Sequence, residues 1–423
     1  MVGTGAGGAT VAKELQGKFD VTVLEAGGSF RPFSMSVSSV LRFKKSGLMF
    51  DEREIGLLFP TMRIRKTRDQ MVLVKGIGLG GTTTIATGNG LRLDGILRKY
   101  GIDLAAEYDE LETELPISTD HQRRWKPVTR RLFDICREMN LDPQPSPKMG
   151  DNRKCINCGR CVLGCEQGAK WDSRQFLGLA LHKGAKLVTR CKVVRVVLKG
   201  GRAVGVIARR GLRTQFYPSD LIVIAAGGFG TPIILANSGI ECKRSLFVDP
   251  VLCVATTWKD SRQDKEISMP FIVQKQGYIL APYFDYLSCF FRKDWKSAPQ
   301  DTLGMMVKIA DTNGGSISDR FVEKTLSKED MRRLEEGVKI CFDIFGRLGA
   351  NASDIFLGTL NAGHPGGMLP LTDQATSTFH SSRLPDNVFV ADSTLIPVSL
   401  GNPPMFTIMA IAKRVSKVCA EMA

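Results

Sequence analysis

Apolar positions along this chain fall into short dense runs and longer periodic stretches. Leu221-Ile222-Val223-Ile224-Ala225-Ala226 is apolar at consecutive positions, as expected of a parallel strand covered on both faces. Val21–Leu24, Met71–Val74, Leu187–Thr189, Val193–Val197 and Val388–Val390 read as further strands. Gly200-Gly201 places a hairpin turn before another strand at Ala203–Ile207, and Phe271–Gln274 alternates. Helical periodicity marks Ala9–Leu15 and Met405–Val415. A third helix starts at Lys328, opened by Ser327 and Asp330, with Met331, Leu334, Val338, Cys341 and Phe345 as its apolar face. Strands interleaved with helices predict an α/β fold.

With 423 residues, the chain has room for two domains or one large elaborated one. No apolar run approaches the roughly 20 residues of a membrane-spanning helix. The first residues read as fold and not as a secretory leader. Eleven cysteines in that setting point to thiols and metal ligands in place of disulfides. A cytoplasmic location is expected, with peripheral membrane association left open. The formal charge of +15 is unaccompanied by any nucleic-acid-binding motif, so a nucleic-acid partner is not expected. Such a surface is solvated, and it steers an acidic partner or substrate.

The opening Met1-Val2-Gly3-Thr4-Gly5-Ala6-Gly7-Gly8 carries G-x-G-x-x-G at Gly3, Gly5 and Gly8. A helix, a strand and the acid Glu25 follow at the distances a dinucleotide-binding unit requires. Gly3 permits the tight turn, Gly5 lets backbone approach a pyrophosphate, and Gly8 lets the helix pack closely. Free N–H groups at the helix start face the phosphates, and Glu25 is poised for a ribose hydroxyl. Only Met1 and Val2 precede Gly3, so the first strand is a stub, or the start of the chain is short or misassigned. A second glycine pattern, Gly76, Gly78 and Gly81, leads into the β-branched Thr82–Thr87 segment, a poor helix start. That reads as a loop against a flavin, not as a nicotinamide site.

Cys155, Cys158, Cys161 and Cys165 follow the C-x2-C-x2-C-x3-C spacing of ferredoxin cubane clusters. The run predicts a [4Fe-4S] site, with structural zinc or unliganded structural cysteines as rivals. Because Glu166 replaces the proline of the ferredoxin pattern, the fourth ligand is Cys165 itself or a distant cysteine among Cys136, Cys191, Cys242, Cys253 and Cys289. Cys341 and Cys419 read as core.

Four segments make the chain resemble the glucose–methanol–choline oxidoreductases, FAD enzymes that oxidise alcohols. They are Gly3–Gly28, Gly76–Thr83, Gly227–Ile240, and Val388–Ser393 continued through Pro397 to Gly401-Asn402-Pro403. Ile77, Ala86 and Glu241 stand where that family commonly has a basic residue, an asparagine and a glycine. The Gly164–Lys170 stretch also resembles cysteine-bearing branches of the family. The resemblance implies a glutathione-reductase-type, Rossmann-like FAD-binding domain with a smaller α+β substrate cap and an iron–sulfur insertion. It implies His364 and Asn402 as the catalytic pair, although Met368 follows Gly367 where the family has threonine after glycine. It further implies FAD contacts from Gly80, Gly81, Thr82, Val193, Ala226, Asp392, Asn402 and Pro403 besides the first glycines and Glu25.

The expected organisation is an FAD-binding domain over 1–240, interrupted by the cysteine insertion at about 100–180 and completed by 381–423. A cap spans 241–380. The expected activity is an FAD-dependent dehydrogenase acting on a CH–OH group of a small alcohol, or on a carbonyl in reverse. Hydride passes to flavin, and electrons leave singly through the cluster to an acidic electron carrier or iron–sulfur partner protein. The alternative is an electron-transfer subunit in which flavin and cluster only relay charge.

Overall fold

Val2 sits at the centre of a parallel sheet, bridging Leu24 on one side and Ile224 on the other. In the computed structural model, which describes residues 1–47, 51–372 and 375–422, this sheet runs in the order Lys186–Val188, Thr22–Leu24, Val2, Ile222–Ile224 and Val388–Val390. Val2 is paired on both of its edges. Val2 N donates to Val223 O and Gly3 N to Leu24 O, each at 2.9 Å. Ile222–Ile224 and Val388–Val390 are buried throughout, as their unbroken apolar runs require.

The first helix, Ala6–Leu15, starts three residues earlier than the periodicity predicts and packs on the C-terminal helix Met405–Ala420. Gly7 makes that packing possible: a Cβ there would lie 1.6 Å from Ala391 O. The ammonium of Lys413 is buried between Glu14 and Glu114, at 2.8 and 2.9 Å. Its partner Glu114 ends the helix Ala105–Glu114, which joins the same core through a hydrogen bond between Tyr108 Oη and Thr407 Oγ1. An antiparallel meander, Cys191–Lys199, Arg202–Arg210 and Arg213–Pro218, turns at Gly200-Gly201 as expected. Helix Gly227–Asn237 packs on its first strand.

The second layer is a nine-stranded mixed sheet centred on Val251–Thr257 and Thr302–Ile309. It also takes in Met62–Lys66, Val72–Gly76 and Pro143–Pro145, so it is not drawn from 241–380 alone. Helix Lys328–Leu348 lies against it, started by a Ser327–Asp330 capping box and ended at Gly349 with φ +102°. Leu334, Cys341 and Phe345 are buried as predicted, but Met331 is 45% exposed. The buried apolar stripe therefore begins one turn later, at Leu334.

Strand Thr302–Ile309 divides its side chains by the period of two. Met305, Val307 and Ile309 join the core under the helix, while Met306 and Lys308 face the opposite side. That opposite side looks toward the nucleotide-binding layer.

Candidate active site

Between the two layers lies a cavity of about 750 Å3, the size of an organic cofactor site with room beside it. The first glycine turn forms one end of its wall. Gly3 has φ +95°, and a Cβ there would come within 2.4 Å of Ala225 O. At Gly8 a Cβ would meet Gly3 O at 2.2 Å. Gly5 is different: a Cβ built on it meets no protein atom within 4 Å, so the space beside it is open. Helix Ala6–Leu15 begins there with Gly5 as its N-cap, no side-chain cap and no acidic residue in its first turn. Its unsatisfied N–H groups and positive end are a ready anion site.

Glu25 stands at the end of its strand on the cavity wall. Its Oε2 accepts from Thr4 N at 3.0 Å and Thr4 Oγ1 at 2.6 Å, and its Oε1 from Gly27 N at 2.8 Å. Oε1, with a single donor, keeps acceptor capacity for a hydroxyl. Val193 and Ala226 line the same end, with Gly81 and Thr82 on the short 3-10 turn Gly81–Ile85. Gly80 and Gly8 do not reach the cavity. Gly80, at φ +90°, shapes the turn and donates from its N to Thr4 Oγ1.

Asp392 lines the cavity but spends its carboxylate on protein. It accepts from Gly227 N at 2.9 Å and from the Thr231 hydroxyl, and from Thr394 N and Oγ1 at 3.0 and 2.6 Å. It therefore fixes the start of helix Gly227–Asn237. Burial pushes its carboxyl up from the usual range, against those four donors.

An open glycine cradle at a helix start, an acid with spare acceptor sites and an apolar-rich cavity fit FAD. Residues outside the sequence-based set also reach this cavity. Lys75, next to the second glycine loop, lies over the Phe229 ring at 5.5 Å, and burial pulls its ammonium down to about 8.

His364 also stands on the cavity wall, with 28% of its side chain accessible. Its Nδ1 is 3.5 Å from Asp249 Oδ2. Asp249 is fully buried and forms an ion pair of 2.7 Å with Lys308, which also lines the cavity. Burial alone would raise the Asp249 carboxyl, but Lys308 and then His364 outweigh it and hold it near about 2. The carboxylate's Oδ1 takes the Ser399 hydroxyl and Gly401 N, the latter at 3.2 Å. One carboxylate thus ties the His364 loop to the turn before Asn402. His364 itself is pulled below the ordinary histidine range by burial and by Lys308, against the opposing effect of Asp249.

Asn402 does not line the cavity. It is buried, and its amide donates to Leu400 O at 3.2 Å, while the adjacent Pro403 reaches the wall. Asp249 and Lys308 were not singled out by the sequence reading. A lysine inside the otherwise apolar strand Thr302–Ile309 is the one local sign that was present.

The four cysteines share one half-buried loop, 155–165. Val162 and Leu163, between the third and fourth, form part of the cavity wall. Among the described residues, however, no group of three or more His, Cys, Asp or Glu side chains is arranged to hold a metal ion. No such group corresponds to the ligand set expected at Cys155, Cys158, Cys161 and Cys165. Of the distant candidates, Cys136, Cys191, Cys253 and Cys289 are buried in apolar surroundings. Burial pushes the thiols of Cys136 and Cys289 up to about 12, a poor state for a ligand. No helix among the described residues is long and apolar enough to cross a membrane.

Residues 97–254 match the family model described as GMC oxidoreductase. An uncharacterized protein of Methanocaldococcus jannaschii is 26% identical over 98% of this chain and 97% of its own length. An uncharacterized GMC-type oxidoreductase of Sinorhizobium fredii is 24% identical over 99% of this chain and 93% of its own. Another, from Mycobacterium tuberculosis, is 30% identical over 57% of this chain and 39% of its own. The solved structure of pyridoxine 4-oxidase from Mesorbium loti shares the fold, with a TM-score of 0.72 at 14% identity over 98% of this chain and 97% of that one. The chain is thus similar to the GMC oxidoreductases, through the family model over residues 97–254 and through a GMC-type relative over nearly its whole length.

Proposed function

We propose that the chain oxidises a carbinol and that His364 takes the hydroxyl proton. Bound FAD supplies the acceptor for the two electrons that leave the carbinol carbon as hydride, so that C–OH becomes C=O. In this reading Gly5 and the open N–H groups of Ala6–Leu15 hold its pyrophosphate, Glu25 its ribose and Val193 its adenine. The observation that carries the proposal is the position of His364. Its ring is on the wall of the cavity that also contains Gly5 and Glu25, and its Nδ1 is turned to Asp249.

With Nδ1–H directed at the carboxylate, Nε2 is the basic nitrogen. Burial and the Lys308 ammonium favour the neutral ring before reaction. Asp249 then stabilises the imidazolium as the proton arrives. Asn402, whose amide holds Leu400 O, secures the turn that presents Pro403. The test is His364→Ala in FAD-loaded protein, mixed anaerobically with a panel of alcohols. Flavin reduction is expected to slow by about 10²- to 10⁴-fold with FAD content kept. A variant as fast as the wild type ends the proposal.

The finer sequence reading, with electrons leaving through a [4Fe-4S] cluster to a protein acceptor, has one supporting observation. The cysteine loop contributes Val162 and Leu163 to the cavity wall. A pure electron relay shares that support and differs in needing no base, so the His364→Ala variant separates the two. Iron and acid-labile sulfide analysis of anaerobically purified protein tests the cluster itself. Absence of both removes it.

A further inference from the structure

Five lysines of this chain are buried: Lys148, Lys170, Lys308, Lys324 and Lys413. A buried ammonium carries three donors, and each one left unmet is costly. Four of the five meet theirs with protein oxygens. Lys170 donates to the carbonyls of Thr83, Thr84 and Ala86. Lys148 donates to Asn89 Oδ1, Ser268 O and Thr87 O. Lys324 donates to Leu246 O and Thr312 O and pairs with Asp311, and Lys413 joins Glu14, Glu110 and Glu114.

Lys308 departs from this pattern. It is 1% exposed, its ion partner is Asp249 Oδ2 at 2.7 Å, and its Nζ has no hydrogen bond of proper geometry. It is also the one lysine of the five on the cavity wall. The strand period puts it there beside Met306, on an otherwise apolar face. If Lys308 served only as a counter-ion for Asp249, its other two donors would be expected to find carbonyls, as those of Lys324 do.

We propose that Lys308 binds a carboxylate of the substrate, so that the alcohol oxidised is a short-chain hydroxy acid. This rests on the reading of His364 as the base. Lys308 and His364 approach the same oxygen of Asp249, at 2.7 and 3.5 Å, so the anion site and the proton acceptor are close neighbours. So short a separation leaves room for no carbon or one between the carboxylate and the carbinol, which selects 2- and 3-hydroxy acids over longer ones. The carbinol carbon loses hydride to FAD and the hydroxyl loses its proton to His364, giving the oxo acid with its carboxylate unchanged. The positive charge of the whole chain favours capture of such an anion.

The experiment uses FAD-loaded enzyme with lactate and 3-hydroxybutyrate against their methyl esters, which keep the carbinol and lose the charge. Acetate and oxamate serve as unreactive carboxylates, followed by the flavin absorption spectrum. The acids are expected to exceed the esters in kcat/KM. That ratio should fall about 30-fold in Lys308→Met, the worth of one charge-assisted hydrogen bond, and be largely kept in Lys308→Arg. Oxamate should perturb the wild-type spectrum at concentrations that leave Lys308→Met unchanged. Equal use of acid and ester, or a spectrum indifferent to both carboxylates, overturns the proposal while leaving the alcohol chemistry standing. If neither acid nor ester reduces the flavin yet oxamate binds through Lys308, the fault lies with the alcohol reading and the anion site remains.

Discussion

Asp249 faces His364 across 3.5 Å, carboxylate oxygen to Nδ1. The same oxygen holds the Lys308 ammonium. In the proposed reaction Asp249 is a positioning residue for the His364 ring, and its other oxygen holds the turn at Ser399 and Gly401.

Asp249→Asn keeps the shape and removes the charge. The rate of flavin reduction is expected to fall about 100-fold, because the ring loses its fixed tautomer and its imidazolium its counter-charge. Stability should fall as well, by about 3 kcal/mol, since Lys308 is left buried without an ion partner. Stopped-flow reduction and urea unfolding measure the two effects separately.

The acid limb of the pH profile should respond to the same pair with opposite signs. His364 must be neutral to accept a proton, so kcat/KM falls as pH drops through its titration. Burial and Lys308 set that titration below the ordinary histidine range, and Asp249 opposes them. Lys308→Met removes a lowering influence and moves the limb to higher pH. Asp249→Asn removes the raising one and moves it to lower pH. Profiles of kcat/KM for an uncharged alcohol test both shifts.

Two glycines of the first turn should fail in different ways. Gly8→Ala puts a methyl 2.2 Å from Gly3 O, so folding itself is damaged. Gly5→Ala meets no protein atom and has an extended backbone, φ −69°, that alanine adopts freely. Its apo-protein should unfold within about 0.5 kcal/mol of the wild type, while FAD affinity drops at least about 10-fold. Flavin fluorescence titration beside thermal unfolding distinguishes them.

His121 gives a stability prediction away from the site. Its Nδ1 accepts from Trp125 Nε1 at 3.0 Å and its Nε2 lies 2.8 Å from Ser146 O, so the ring is held neutral. Burial pulls it down to about 4, whereas an unfolded histidine titrates near about 6.5. The unfolded chain binds the extra proton first. The stability present above about pH 6.5 is therefore lost progressively down to about pH 4, by on the order of 3 kcal/mol. His121→Gln should flatten that slope in urea unfolding measured across the range.

Much of the nucleotide-binding half was legible because its chemistry is written locally. A turn, a helix start and an acid at fixed spacing leave the same trace wherever they occur, and Gly3, Gly5 and Glu25 form that trace here. Val2 was legible only as a problem, since its two partners, Leu24 and Ile224, come from distant segments. Asp249 and Lys308 were missed for the same reason. Their meeting depends on the register that pairs Val251 with Lys308 across the large sheet, and no spacing along the chain encodes it. The cysteine run shows the converse: a clear local spacing to which no metal-holding group among the described residues corresponds.

The seat of Gly7 against Ala391 has a consequence for how the protein is made. Helix Ala6–Leu15 cannot settle until the strand Val388–Val390 and the helix Met405–Ala420 have left the ribosome. Residues 6–15 wait for partners synthesised much later, and long-range closure of this kind is slow. Cofactor loading is thereby postponed until translation has passed residue 420, and nascent chains stalled before residue 388 should emerge colourless.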